Sequence, residues 1–488
     1  MKNIFPLIII LVTIWVVVLI PFRIIGYGFM PPDDAMRHSA KVISGKDWNQ
    51  ILVLRDEIKM DSYPGWHAIL GLIHRITGWD QHSLVLFSAI SLAILFCIIP
   101  IFFLKFPESW LFSLFIISLM MPGWVLRLFL GRPYIATMAS LLVILFIWPS
   151  LKQKKLQYIK ILILAVIVAL SIWIHASWYF FSLLIVSFLL AREWRPAALI
   201  AVSSVAGVLT GAAFTGHPVI FIKQMVTHLF LVFGSYDVGR QLVSELQPLV
   251  GDFSVVLTIL AILGWRTLRG AENKKSVDNP IFILLALTFI LGMITRRTWL
   301  DWGIPAFAVW MAKEFDEYFQ TCVDPFSWKR AALAIMSAGI LFISVTIDVG
   351  SRWSMTRPMD YISSEDPKQA EWLPAPGGII YSDNMGVFYQ IFYKNPKADW
   401  RYILGFESAF MPPEDLKILR DIQRNFNRPE DFEPWVKKMR PEDRLIIRGS
   451  PDSQPKIAGL EWHYIALGTW SGRKQKDSKE VKGRNVKQ

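Results

Sequence analysis

Long apolar blocks constrain this chain more than any other feature. A membrane-spanning helix needs roughly 20 mostly apolar residues. Such blocks recur up to about residue 350 and then stop. The chain has 488 residues, 53% of them hydrophobic, and a mean hydropathy of +0.40, which is too apolar for a soluble enzyme of this length. The expected fold is a polytopic α-helical membrane domain over 1–350, followed by a small α/β domain over 351–475. A Lys-rich tail, 476–488, lacks core residues and is expected to be disordered.

The blocks read as eleven spans: 4–28, 82–104, 110–124, 134–149, 158–174, 177–191, 196–214, 252–266, 280–295, 301–313 and 331–349. The first could be mistaken for a signal peptide. Only Lys2 flanks it and no small-residue cleavage site follows, so it reads as a retained span. With the N-terminus inside, the inner connectors carry Lys152, Lys154, Lys155, Arg192, Arg195, Arg266, Arg269, Lys274 and Lys275. The short outer connectors carry fewer, Arg127 and Arg132, then Arg296 and Arg297, as the positive-inside bias requires. This orientation puts the first loop, 29–81, and the C-terminal domain on the extracytoplasmic side of a plasma (inner) membrane. The net charge of +12 then reflects inner loops and anionic lipid; no basic-aromatic nucleic-acid module is present. Two cysteines, Cys97 and Cys322, are too few for a disulfide framework. No internal repeat is visible.

In the first loop, PGWHAILGLIHRITGW sets Trp66, Leu70, Ile73 and Thr77 on one stripe, as in a helix lying in the interface. The second long loop, 215–251, is apolar but carries Lys223, His228 and Arg240. In the C-terminal domain 377–383, 401–406, 444–449 and 461–468 read as strands, and 412–426 as a helix opened by prolines and acids. Asp383 and Asn384 end a strand, either as a ligand position or as an ordinary Asx turn.

The first outer loop opens with PPDD. Asp33 and Asp34 are adjacent carboxylates beside a span, where charge is costly. One reading is local: Asp33 caps a helix, Asp34 favours its dipole, and Arg37 and His38 follow each acid by four residues. The position of the pair, and DSYPGWHAIL at 61–70, also resemble the GT-C superfamily of membrane glycosyltransferases, of the protein O-mannosyltransferase and aminoarabinose transferase type. The resemblance covers architecture over most of the chain. It implies that Asp33 or Asp34 is the general base and that a polyprenyl-phosphate or diphosphate carrier donates the sugar. The acceptor would be an extracytoplasmic glycan, lipid or protein.

Such chemistry needs a carboxylate to take the acceptor's proton and cations to receive the leaving phosphate. Arg296 and Arg297, adjacent at the outer end of a span, are the first candidates for the phosphate, with pairing to Asp301 the structural alternative. Arg132, in LGRPYIAT, follows. Tyr63, His67, Lys223 and Arg240 are loop residues within reach of an acceptor. His67 and His74, seven apart on one helical face, could hold a divalent cation with the carboxylates, although interfacial His is commoner. His175, at the outer end of a span, reads as a bundle hydrogen-bonder. Three competing readings remain, one of them a non-enzymatic membrane scaffold, which would leave the acidic pair as capping only. An O-antigen or exopolysaccharide polymerase or ligase would rely on Arg and a large outer loop. A lipid or sugar transporter would place charge at mid-span in repeated halves, whereas here charge gathers at span ends.

Overall fold

The computed structural model describes residues 4–234, 236–356, 361–466 and 468–474. The basic tail expected over 476–488 lies outside the described residues. Up to Thr346 the chain is a helical bundle. Among the described residues six helices are long and apolar enough to cross a membrane: Pro6–Ile25, Gln81–Phe102, Tyr134–Leu151, Gln157–Ile174, Trp194–Ala213 and Trp328–Thr346. Glu108–Met120 and Pro122–Leu128 would add a seventh as one span bent by 118°. Pro122 cannot donate a backbone N–H, so the helix breaks at Met121. Shorter apolar helices cover Trp178–Leu190, Pro218–Val232, Phe253–Leu268 and Pro280–Gly292. The protein is membrane-embedded.

Small residues let the spans approach closely. A Cβ on Gly207 would sit 2.6 Å from Val168 Cβ, and one on Gly211 would sit 2.7 Å from the Ala169 carbonyl. The Trp194–Ala213 and Gln157–Ile174 helices therefore pack backbone to backbone, as glycines four apart allow. Charges inside the bundle are paired. Arg330 Nε donates to Glu108 at 2.8 Å, and Arg266 binds Glu314 and Glu317.

The C-terminal domain is a five-stranded mixed sheet, ordered β2-β1-β3-β5-β4. The strands are β1 (Gly378–Tyr381), β2 (Trp400–Tyr402), β3 (Arg444–Arg448), β4 (Leu460–Ala466) and β5 (Thr469–Lys474). β1 pairs in parallel with β2 and β3, and β5 runs antiparallel to β3 and β4. Alternate residues point to opposite faces. Ile380 and Ile446 pack with Val387, Phe388 and Phe392 of the Met385–Lys394 helix. Tyr381 and Leu445 pack with Leu416, Leu419 and Trp435 on the other face. The helix expected over 412–426 forms as Pro413–Arg424. β5 and the Met385–Lys394 helix were not expected. TWSGRK has little strand character of its own and is held by its neighbours, with Arg473 paired to Glu461 across the strands at 2.9 Å.

The first loop joins the two parts. It folds as helices Asp34–Ser44, Trp48–Ile51 and Pro64–Thr77. Leu52 bridges Tyr402 in parallel, the Val53 N–H donates to the Tyr402 carbonyl at 2.9 Å, and the Arg55 N–H donates to the Phe410 carbonyl at 3.0 Å. Trp48, Ile51 and Leu52 share one apolar cluster with the sheet. The loop thus covers the edge that β2 would otherwise leave unpaired. The Pro64–Thr77 helix buries Trp66 and Leu70 of the expected stripe, while Ile73 is half-buried and Thr77 exposed.

Candidate functional site

The site starts at a helix cap. Asp33 is the N-cap of Asp34–Ser44, and its Oδ1 accepts from the Asp34 N–H at 2.6 Å. The local reading of the acidic pair is therefore realised, but with different partners. Arg37 pairs with Asp34, not Asp33, its Nε donating to Oδ1 at 2.7 Å. His38 does not meet Asp34; it meets His67, with 2.8 Å between ring nitrogens. The first correction has a local cause. Asp33 stands outside the helix, so the usable spacing begins at Asp34, and a three-residue step brings Arg37 onto it. Arg37 is buried between the rings of Tyr63 and Phe406, 4.6 and 3.9 Å from their centroids.

Arg132 arrives on a turn pressed against this helix. Gly131 has φ of 64°, and a Cβ there would lie 3.0 Å from the Ala89 nitrogen and 3.1 Å from Ala35 Cβ. The Arg132 guanidinium bridges Asp33 and Glu245, and its Nε lies 3.9 Å from Asp34 Oδ2. Arg127 continues the row, binding Glu245 and, at 2.7 Å, Asp301. Arg297 closes it, with Nε 3.3 Å from Asp301 Oδ2. Four guanidiniums and four carboxylates thus alternate through a buried network. The balance decides the two acids differently. Burial pushes the Asp33 carboxyl up, and neighbouring Asp34 adds to it, more than Arg132 can offset. Burial also opposes charge on Asp34, but Arg37 and Arg132 outweigh it and hold that carboxyl below the usual range. Glu245 is likewise held low, burial being overcome by Arg127 and Arg132.

This network walls a cavity of about 160 Å³. Asp34, Arg37, Tyr63, Arg132, Glu245 and Arg297 line it from the membrane domain, and Met385, Tyr389, Phe406 and Glu407 line it from the C-terminal domain. Tyr134 Oη, His175 Nδ1 and His228 Nε2 also belong to lining residues and are buried with no hydrogen-bond partner among the described residues. Burial, with Arg297 nearby, pushes His175 down to about 3, so its imidazole is neutral. A buried cavity with idle polar atoms is suited to a polar ligand.

Several expected residues stand elsewhere. Arg296 is tied through its backbone to the Gln247 carbonyl at 2.8 Å, and its side chain is not in the cavity wall. Lys223 is exposed. Arg240 donates to the Leu246 and Ile294 carbonyls at 3.3 and 3.1 Å and braces the second loop. His74 bonds the Trp79 carbonyl at 2.7 Å while His67 turns to Asp61, so the two do not converge on a metal. Among the described residues no group of three or more His, Cys, Asp or Glu is placed to hold one. Asp383 accepts from Asn427 at 2.8 Å and Asn384 caps the Met385–Lys394 helix, which is the turn reading. Glu245, Arg127, Tyr389 and Glu407 were missed. Glu245 had a signal, as a lone acid in the apolar stretch LVSELQPLV.

No family model and no curated protein sequence matches this chain.

Proposed function

We propose that the chain is a GT-C-type membrane glycosyltransferase, moving a sugar from a polyprenyl-phosphate or diphosphate carrier to an extracytoplasmic acceptor. One observation carries the reading: a carboxylate held in its ionised form, Asp34, shares a cavity with the guanidiniums of Arg132 and Arg297. That pairs a proton acceptor with a phosphate receiver. Asp34 takes the proton of the acceptor hydroxyl as it attacks the anomeric carbon. The carrier phosphate leaves toward guanidinium, whose paired donors match its oxygens. Asp33, capping the helix and bound to Arg132, positions both groups. Apolar residues of Pro218–Val232, among them Met225 and Leu229, line the same cavity and suit a lipid-linked donor.

On this reading the bent pair, Trp178–Leu190, Phe253–Leu268, Pro280–Gly292 and Ile304–Cys322 complete eleven crossings with the six long helices. The cavity and the sheet then face the extracytoplasmic side of the plasma membrane. Glu245 and His228 of the second loop lie in the wall, which favours a lipid-diphosphate polymerase or ligase as the second reading. Sugar transfer by folded Asp34→Asn and Asp33→Asn proteins tests the proposal. Transfer falls by about 10²-fold or more in Asp34→Asn if the carboxylate is the base. Near-normal rates in both variants defeat the assignment, and a strict need for a diphosphate carrier with polymeric product selects the second reading.

A further inference from the structure

Beside the cavity, three titratable side chains of the first loop form one hydrogen-bonded row. Asp61 Oδ2 pairs with His67 Nδ1, and His67 Nε2 lies 2.8 Å from His38 Nδ1. Asp61 Oδ1 also accepts from Trp48 Nε1 at 3.2 Å and from the Tyr63 N–H at 3.0 Å. Trp48 Nε1 and the Tyr63 N–H can only donate, which favours the ionised carboxylate. Burial opposes that charge, but His67 and these donors outweigh it and hold the carboxyl well below its usual range. An ionised Asp61 fixes a proton on His67 Nδ1. In the neutral ring His67 Nε2 is then a lone pair and accepts from His38 Nδ1–H. That leaves His38 Nε2 as a bare lone pair, and this atom is buried with no hydrogen-bond partner among the described residues. His38 follows Arg37, and its ring stands edge-on to Tyr63 with centroids 4.8 Å apart. Arg37 and Tyr63 both line the cavity.

We propose that His38, His67 and Asp61 form a proton-accepting row that takes up the proton released in the cavity. The inference rests on the glycosyl-transfer reading. The acceptor's O–H proton goes to Asp34 as the new C–O bond forms, and the sugar–phosphate bond breaks with its electrons leaving on phosphate. A water molecule passes the proton from Asp34 to His38 Nε2. His38 releases its Nδ1 proton to His67 Nε2 and becomes neutral in its other tautomer. His67, now protonated on both nitrogens, is an imidazolium against the Asp61 carboxylate. One proton has entered, one positive charge rests at the Asp61 end, and Asp34 is again ionised. Asp61 is partly exposed, so the Nδ1 proton of His67 leaves to solvent from there, and rotation of the two rings then restores their Nδ1–H arrangement for the next turnover.

The surroundings favour this direction. The groups facing the row are Arg37 and Lys41 from the helix of His38, Asp47 at the next cap, Tyr63, and His175 from the end of Gln157–Ile174. Burial first, then Arg37, His67 and His175, hold His38 well below the ordinary imidazole range, so charge does not stay on it.

The test uses full-length protein in lipid nanodiscs and synthetic polyprenyl-phosphate hexoses as donors, from about pH 5 to 9, the window of imidazole titration. His67→Gln and His38→Gln keep hydrogen-bonding capacity but carry no proton. Each is expected to lower kcat by about 10²-fold with KM little changed, and to remove one ionisation from the kcat profile. Imidazole added to His67→Gly should restore part of the rate. Folded variants with the wild-type rate and profile, while Asp34→Asn has lost transfer, overturn the row. Loss of transfer with an unshifted profile and no imidazole rescue also overturns it. Nitrogen NMR of ¹⁵N-His protein reads the row without any donor. The expected spectrum has His67 and His38 both protonated on Nδ1 near neutrality, with His38 staying neutral well below the ordinary imidazole range. A His38 protonated on Nε2 overturns the proposal whatever the protein's activity. Wild-type protein that transfers no sugar while showing the expected spectrum removes the glycosyl-transfer reading and, with it, the row's assignment to that proton.

Discussion

The hydroxyl of Tyr389 donates to Oδ1 of Asp34 across 3.3 Å of space and 355 residues of chain. Asp34 therefore takes part of its setting from the C-terminal domain, whose Met385, Phe406 and Glu407 also reach the cavity. The domain is a wall of the site, and the two parts of the chain are chemically one.

Tyr389→Phe removes that hydroxyl and keeps the ring. A hydrogen bond to a charged group contributes about 1.5–3 kcal/mol, and the length of this one puts it at the low end. kcat/KM for sugar transfer should fall by about 10-fold, with a melting temperature within a few degrees of wild type. A transfer assay beside a thermal melt checks both halves.

Arg132→Ala should be among the most destabilising single changes. It leaves Asp33 without its cation and Glu245 with Arg127 alone. Breaking a buried pair costs about 3–5 kcal/mol. Adding Glu245→Ala should cost less than the sum of the two single changes, because the Arg132–Glu245 interaction is lost only once. Denaturant unfolding in detergent of the four proteins gives the coupling.

Arg297 and Arg296 should separate despite being neighbours. Arg297 lines the cavity and Arg296 does not. Arg297→Ala should weaken polyprenyl-phosphate binding by about 10–100-fold, as loss of a charge-assisted contact would, and Arg297→Lys by less. Arg296→Ala should stay within about threefold on the same scale of contact energies. Titration of each variant with a polyprenyl phosphate decides it, and equal losses would refute the distinction.

Acid should loosen the first loop. The Asp61 carboxyl is held below its ordinary value of 3.8, so its contribution is fully present above that pH and is lost as pH falls toward the lower folded value. Asp61→Asn lacks this term. Its melting temperature should be lower than wild type near neutrality, and the gap should narrow as pH drops below about 4. A gap that widens in acid would contradict the sign.

Much of this architecture was legible because apolar blocks and strand alternation are local signals. The helical membrane part, the sheet after 350 and the acidic pair all announce themselves in short windows. The partners of that pair do not. Arg127 and Arg132 lie 113 or more residues from Glu245 and Asp301, and their pairing is set by how the helices pack. Arg296 and Arg297 look equivalent in sequence. Helix rotation alone sends one to Asp301 and the cavity and the other away. The bend after Met120 was marked by Pro122, yet an apolar count over 110–124 ran through it.

The bridge between Leu52 and Tyr402 has a consequence for the order of events in biosynthesis. Asp34 leaves the ribosome 355 residues before Tyr389. At roughly 5–20 residues per second that is a wait of about 20–70 s. Through that interval the first loop has no sheet to lie against, and Trp48, Ile51 and Leu52 have no apolar partners from the C-terminal domain. Met385, Tyr389, Phe406 and Glu407, which complete the cavity wall, are all made after the membrane helices. Asp34 thereby lacks its Tyr389 partner until translation is nearly finished.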